Sequence, residues 1–167
     1  MNTTRKYILI IGTFIIVSCS TLPSTIDDDT LVKLERTACF GECPVYTLVI
    51  KKDGRVEYEG HEYVFVKGRQ TSILKKESVE NIEAELVNSK FLKMKSQLDA
   101  GSFGCFIVAT DHSYIIIEGS LEKRKKAVST YLGCNSKQVD AVIELAKYID
   151  DVAGTSKWVE ESVGNNP

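Results

Sequence analysis

The eight residues Cys39-Phe40-Gly41-Glu42-Cys43-Pro44-Val45-Tyr46 restrict the fold more than any other stretch of this 167-residue chain. Two cysteines four positions apart enclose a glycine and precede a proline. On either side lie Leu31-Val32-Lys33-Leu34-Glu35-Arg36 and Val45-Tyr46-Thr47-Leu48-Val49-Ile50. The second of these is rich in the β-branched and aromatic residues that suit a pleated, half-buried surface. Two strands joined by a cysteine-bearing turn are therefore predicted. Gly41 permits a sharp reversal, which can bring Cys39 and Cys43 within the roughly 4.4 to 6.8 Å Cα spacing of a disulfide.

The pattern continues beyond the turn. Asp53-Gly54 predicts a type I′ hairpin, because both central positions of that turn need positive φ. Arg55 to Glu59 reads as the return strand, with Val56 and Tyr58 on one face, and Tyr63 to Val66 as a third strand that ends at Gly68. From Glu77 to Phe91 the period becomes helical: Val79, Ile82, Leu86 and Phe91 share a side. Lys93 to Gly104 reads as a loop. Cys105 to Ala109 and Tyr114 to Ile117 are apolar runs too short for helices and too branched for loops. Lys123 to Lys126 reads as a solvated turn and edge, with contact to anionic lipid headgroups the less favoured alternative, and Val128 to Leu132 as a strand. Asn135 to Gln138 has capping-box spacing, followed by a helical face of Val139, Val142, Ile143, Ala146 and Ile149 that ends at Gly154, with Trp158 packing back. The expectation is an α+β domain over residues 31–159, an antiparallel sheet of about five to seven strands with two covering helices, followed by a disordered tail at 160–167. One domain of this length can bury a core without a metal.

The first 18 residues carry Arg5 and Lys6 and then an apolar run from Tyr7 to Val17. That run is shorter than the roughly 20 residues of a spanning helix and reads as a signal peptide. It ends in Ile16-Val17-Ser18-Cys19, which resembles the bacterial lipobox, whose cysteine is lipidated and becomes the mature N-terminus. Ser20 after it goes with outer-membrane sorting. Residues 19–30, polar and broken by Pro23, read as a flexible tether. The formal charge is −2, and loss of Arg5 and Lys6, with no acids in residues 1–18, leaves −4. Such a balance argues against a nucleic-acid partner.

Export changes the meaning of the cysteines, because thiols outside the cytoplasm tend to be oxidised. With Cys19 lipidated, Cys39, Cys43, Cys105 and Cys134 remain, and four cysteines allow three connectivities. The pairing expected is Cys39 with Cys43 and Cys105 with Cys134, the latter tying the last helix to the sheet. A redox couple is disfavoured, since three residues separate Cys39 and Cys43 and a strand follows. Zinc would need a second close ligand pair beside His61 and His112. The aspartates at 27–29 lack the spacing of a calcium loop. His61-Glu62 has no second histidine at zincin spacing, and Asp111-His112-Ser113, as sequence neighbours, read as a turn rather than a triad. No catalytic residue, metal or cofactor is expected.

The chain resembles a family of small bacterial domains of unknown function common in lipoproteins. The residues that carry the resemblance are Cys39-Phe40-Gly41-x-Cys43-Pro44-x-Tyr46, Asp53-Gly54, Tyr58 with Gly60, Gly68, Thr110-Asp111, and Ile149-Asp150 with Trp158. Cys105 and Cys134 lie outside that pattern. The resemblance supports the domain limits and implies no activity. The functional expectation is a non-catalytic binding or structural module of the bacterial cell envelope. It would be held by a lipid on Cys19 to the outer membrane, facing the periplasm and an envelope protein partner. The alternative is an envelope thiol-disulfide or other enzyme using Cys39 and Cys43.

Overall fold

A computed structural model describes residues 22–106 and 109–160. Among them are seven strands: β1 (Thr30–Arg36), β2 (Val45–Lys51), β3 (Arg55–Glu62), β4 (Gly68–Ile73), β5 (Gln97–Leu98), β6 (Tyr114–Leu121) and β7 (Arg124–Tyr131). Helix α1 (Lys76–Asn88) leads through a short 3-10 turn, Phe91–Lys93, into β5; α2 (Lys137–Ala153) and the single turn α3 (Ser156–Val159) close the domain. The strands form one sheet in the order β4-β3-β2-β1-β6-β7-β5. All neighbours are antiparallel except β5 and β7, which pair parallel through Gln97 with Ser129 and Leu98 with Thr130. The sheet is therefore mixed rather than purely antiparallel. The extra strand arises where the sequence reads as a plain loop, because Leu98 is buried against Cys105, Tyr131, Cys134 and Val139.

One rung of the ladder shows how the core is made: Tyr58, Leu48, Leu34, Ile117 and Val128 lie opposite one another across β3, β2, β1, β6 and β7. All five are essentially inaccessible. They face Val79, Ile82 and Leu86 of α1 and Val142, Leu145, Ala146 and Ile149 of α2. Each such side chain contributes about 1.5 to 3 kcal/mol on leaving water. The next rung points to the open face and is polar, with Lys33, Glu57 and Glu118 in it.

Several sequence expectations need correction. Tyr63–Val66 is no strand: Tyr63 takes a φ of 49°, and the amides of Phe65 and Val66 pair with the carbonyls of Val159 and Trp158. The third hairpin strand is β4 instead. The β2–β3 turn has positive φ only at Gly54 (92°), with the Gly54 amide on the Lys51 carbonyl, so it is a three-residue loop closed by a left-handed glycine rather than type I′. A Cβ there would also meet the Leu74 carbonyl oxygen at 2.6 Å. The turn with two positive φ values falls on Glu122 (48°) and Lys123 (64°), and β7 starts at Arg124, inside the run read as a solvated turn. Lys126 there is half-buried and its Nζ donates to the carbonyls of Leu92 and Met94. Cys105, Phe106 and Ala109 carry no strand, and residues 107–108 lie outside the description. Helix α1 stops at Asn88, and Phe91 is buried from the 3-10 turn. The N-cap of α2 is Ser136, whose hydroxyl accepts from the Val139 amide; Gln138 instead bridges the backbone of Lys95. Leu145 occupies the buried face of α2, whereas Ile143 is 41% exposed.

The stretch expected as a tether is laid on the open face over Ser24 to Thr30. The nearly buried Glu118 accepts from the Thr25 amide at 2.5 Å and from the hydroxyls of Thr25 and Ser24 at 2.9 and 3.0 Å. Lys33 Nζ donates to it at 3.2 Å. Ile26 is buried, and Lys51 holds Asp27 and Asp29. A chain so rich in short polar residues docks because the sheet supplies charged partners for it. Among the described residues no helix is long and apolar enough to cross a membrane.

Candidate functional site

The topology sorts the connections to two ends of the sheet. At one end β1 leaves at Arg36, β2 enters at Val45, β6 enters at Tyr114 and β7 leaves at Tyr131, so residues 37–44, 63–67, 99–106, 109–113 and 132–136 cluster there. Both disulfides lie at this loop end. Cys39 and Cys43 are bonded with Cα atoms 5.8 Å apart, and Cys105 and Cys134 with Cα atoms 4.9 Å apart. The first joins two half-buried cysteines beneath an exposed loop, Phe40 to Glu42; the second sits in a small apolar cluster with Leu98, Tyr131 and Val139. The Phe40 amide donates to the Asp111 carbonyl at 3.1 Å, which joins the two cysteine loops.

Five exposed aromatic side chains stand on these loops: Phe40, Tyr63, Phe65, Phe103 and Phe106, between 52% and 89% accessible. Phe103 and Phe106 meet edge to face at 6.5 Å, and Lys95 Nζ lies 4.7 Å from the Phe103 ring. Rings left in water at this density are uncommon, because each withholds its hydrophobic gain from the fold.

Beneath the loops is a polar cluster. Arg36 and Tyr46 are cross-strand partners, and Asp150 reaches them from the last turn of α2. Arg36 Nη2 donates to Asp150 Oδ2 at 2.8 Å, Arg36 Nε donates to Tyr46 Oη at 2.8 Å, and Tyr46 Oη donates to the Asp150 carboxylate at 2.8 Å. Burial, and next the Asp150 charge, push the Tyr46 phenol far above its ordinary value. Burial works against the Arg36 charge, but Tyr46 and Asp150 outweigh it and raise its pKa. Tyr46 packs on Tyr58 at 5.6 Å, and Tyr58 stacks on Trp158 at 4.9 Å. The Tyr58 phenol, pushed up to about 12 by burial and then by Asp150, donates to the Val66 carbonyl. A Cβ on Gly60 would sit 2.2 Å from that carbonyl oxygen, so only glycine admits the 63–67 loop so close. A recess of about 290 Å³ opens between Arg36, Pro44, Tyr46, Lys147 and Asp150. Its phenol keeps its proton at neutral pH, and its cation and carboxylate are spent on each other. The chemistry here is that of a clamp between sheet and helix.

His61 and His112 are both exposed and are not brought together with the cysteines. His112 lies edge-on to Tyr131, and its amide donates to the Tyr131 hydroxyl. Asp111 takes a φ of 70°, with its side chain accepting from the Thr110 hydroxyl, at a bend over Thr110–Asp111, while His112 and Ser113 lead into β6. Among the described residues no group of three or more His, Cys, Asp or Glu side chains has a metal-holding arrangement. Cys19, the segment 1–18 and residues 161–167 lie outside the described residues.

Sequence reading missed Arg36 as a member of the clamp, since an arginine closing a strand carries no local signal. It also missed the aromatic surface, although Phe103 between Gly101 and Gly104 was a visible one. No curated protein matches the chain. Residues 30–153 match the family described as a domain of unknown function, DUF6438; the span runs from the first residue of β1 to the last of α2 and holds the whole sheet, and the chain belongs to that family.

Proposed function

We propose that the protein is a lipid-anchored, non-catalytic docking module of the bacterial cell envelope, which holds a protein partner on its aromatic loop end. The observation that carries this reading is the gathering of Phe40, Tyr63, Phe65, Phe103 and Phe106 on loops at one end of the sheet. Aromatic side chains with few rotatable bonds are the usual anchors of protein interfaces. Two disulfides brace the loops that carry Phe40, Phe103 and Phe106, so those loops lose less freedom on binding. The cysteine pairs suit an oxidising compartment, in agreement with the signal-peptide and lipobox pattern ending at Cys19.

The test is photocrosslinking in intact cells, with a benzophenone amino acid placed singly at Phe40, Phe103 or Phe106 and, for comparison, at the open-face residue Glu57. Discrete protein adducts from the three aromatic positions and none from Glu57 are expected. Adducts at neither set, or at Glu57 alone, would count against the reading. A mixed disulfide trapped on a Cys43→Ser variant through Cys39 would instead favour thiol chemistry.

A further inference from the structure

The N-terminal segment arrives at the end of the sheet opposite the aromatic loops, where Asp27, Asp28, Asp29 and Asp53 are drawn into ion pairs and the corner beside the β6–β7 turn is rich in lysine. Lys90 and Lys93 bracket the 3-10 turn below α1, while Lys123 and Arg124 come from the β6–β7 turn. A recess of about 340 Å³ brings these segments together, with Val87, Lys90, Lys93, Arg124 and one carboxylate, Glu122, on its walls. A neighbouring recess is lined by Leu22, Leu92, Arg124 and Lys125, which places Leu22 at the same end. Three nearby cations are already engaged: Arg124 pairs with Glu122 at 3.0 Å, Lys125 with Asp28 at 2.7 Å, and Lys126 turns inward to carbonyls. Lys90, Lys93 and Lys123 are exposed and have no ion pair among the described residues. Lys90 and Lys123 also adopt left-handed backbone, with φ of 57° and 64°, where glycine or asparagine would be easier. Exposed Val87 and Leu22 stand among these charges.

The length of chain between this surface and the anchor limits where it can be. Leu22 lies three residues after Cys19, and three extended residues span at most roughly 10 Å. Screening at physiological salt acts over about 8 to 10 Å. A lipid on Cys19 therefore keeps Leu22, which shares a recess with Arg124 and Lys125 beside these lysines, within roughly 10 Å of the anchor. We propose that Lys90, Lys93 and Lys123 form a membrane-contact surface for anionic phospholipid headgroups, which stands the domain upright with its aromatic loops away from the bilayer. This rests on the lipid-anchor reading of Cys19 and adds an orientation to it.

Two measurements separate the surface from the anchor. In the first, the lipidated mature protein, which begins at Cys19, is placed in phosphatidylcholine vesicles with or without phosphatidylglycerol, and amine acetylation is followed lysine by lysine. Lys90, Lys93 and Lys123 should be shielded several-fold only in the anionic vesicles and regain reactivity in high salt, while Lys67 and Lys137 at the loop end stay unchanged. Equal rates in both vesicle types overturn the proposal; failure to enter either type overturns the anchor reading instead. In the second, the unlipidated mature chain with Cys19→Ser, residues 19–167, should prefer anionic over neutral vesicles by a factor of about 5 per contacting lysine. The variant Lys90→Gln/Lys93→Gln/Lys123→Gln in that chain should lose about 100-fold of this preference. Indifference of the Cys19→Ser chain to lipid charge, or an unchanged triple variant, overturns the surface whatever the anchor does.

Discussion

At the scale of single residues, the Arg36–Tyr46–Asp150 clamp turns two strand positions and one helix position into a joint. Its members differ in what their loss leaves behind. Asp150→Ala strands the half-buried Arg36 charge and the Tyr46 hydroxyl together. A cost of about 2 to 3 kcal/mol is expected, below that of a fully buried orphan because Arg36 keeps some access to water. Tyr46→Phe leaves the Arg36–Asp150 ion pair in place and should cost about 1 kcal/mol, the worth of a hydrogen bond. Urea unfolding of the two variants checks the order; equal losses would mean that the ion pair adds nothing beyond the phenol. Tyr46, Asp150, Tyr58 and Trp158 all stood out in the sequence as members of a pattern. That they touch was not readable, since 104 positions separate Tyr46 from Asp150.

At the scale of elements, the two disulfides and the N-terminal strap set what can move. The Cys39–Cys43 bridge closes a loop of five residues and the Cys105–Cys134 bridge one of about thirty. Chain-entropy reasoning assigns roughly 2 and 3.5 kcal/mol to them. Cys134→Ser should therefore lower the melting temperature more than Cys43→Ser, and calorimetry giving the reverse order would contradict that ranking. The strap responds to pH instead. Burial alone would raise the pKa of Glu118, but the Thr25 amide, the Thr25 and Ser24 hydroxyls and the Lys33 ammonium prevail and hold it below its ordinary 4.5. A carboxylate depressed in the folded state contributes stability that is complete above its unfolded pKa and disappears as pH falls through the folded one. The strap should stay docked at neutral pH and loosen only below about pH 4.5, as Glu118 takes up a proton. The Thr25 amide resonance in an NMR titration follows this directly. Glu118→Gln should remove the step, and a step that survives would assign it to another acid.

At the scale of the whole molecule, the domain is polar in the geometric sense, with aromatic loops at one end of the sheet and, at the other, the N-terminal segment and lysines that have no ion pair among the described residues. A protein built this way has reason to be oriented, and the lipid proposed on Cys19 would orient it. Radiolabelled fatty acid should enter the wild type and not Cys19→Ser, which should stall as precursor or become soluble, because several acyl chains hold a protein at a membrane far more stably than one. Label retained in Cys19→Ser would remove the anchor from that residue.

The amino-acid sequence by itself determined what depends on neighbours a few positions away. The period-2 runs of β2 and β3, the helical faces of α1 and α2, the left-handed cap at Gly154 and the reversal within Cys39 to Cys43 are all written in local spacing. Only the tertiary structure decided what rests on partners far along the chain. Tyr63 to Val66 looks like strand, but the amides of Phe65 and Val66 find partners in the carbonyls of Val159 and Trp158 on α3. Glu122-Lys123 lacks the asparagine and glycine of its turn type, and the long β6–β7 pairing imposes the turn on it. Leu98 becomes strand because a buried cluster holds it beside β7, and Ser24 to Thr30 is ordered because Glu118 and Lys51 await it. In each case a local preference of order 1 kcal/mol yields to burial or charge pairing worth more, and such contacts exist only once the sheet has formed.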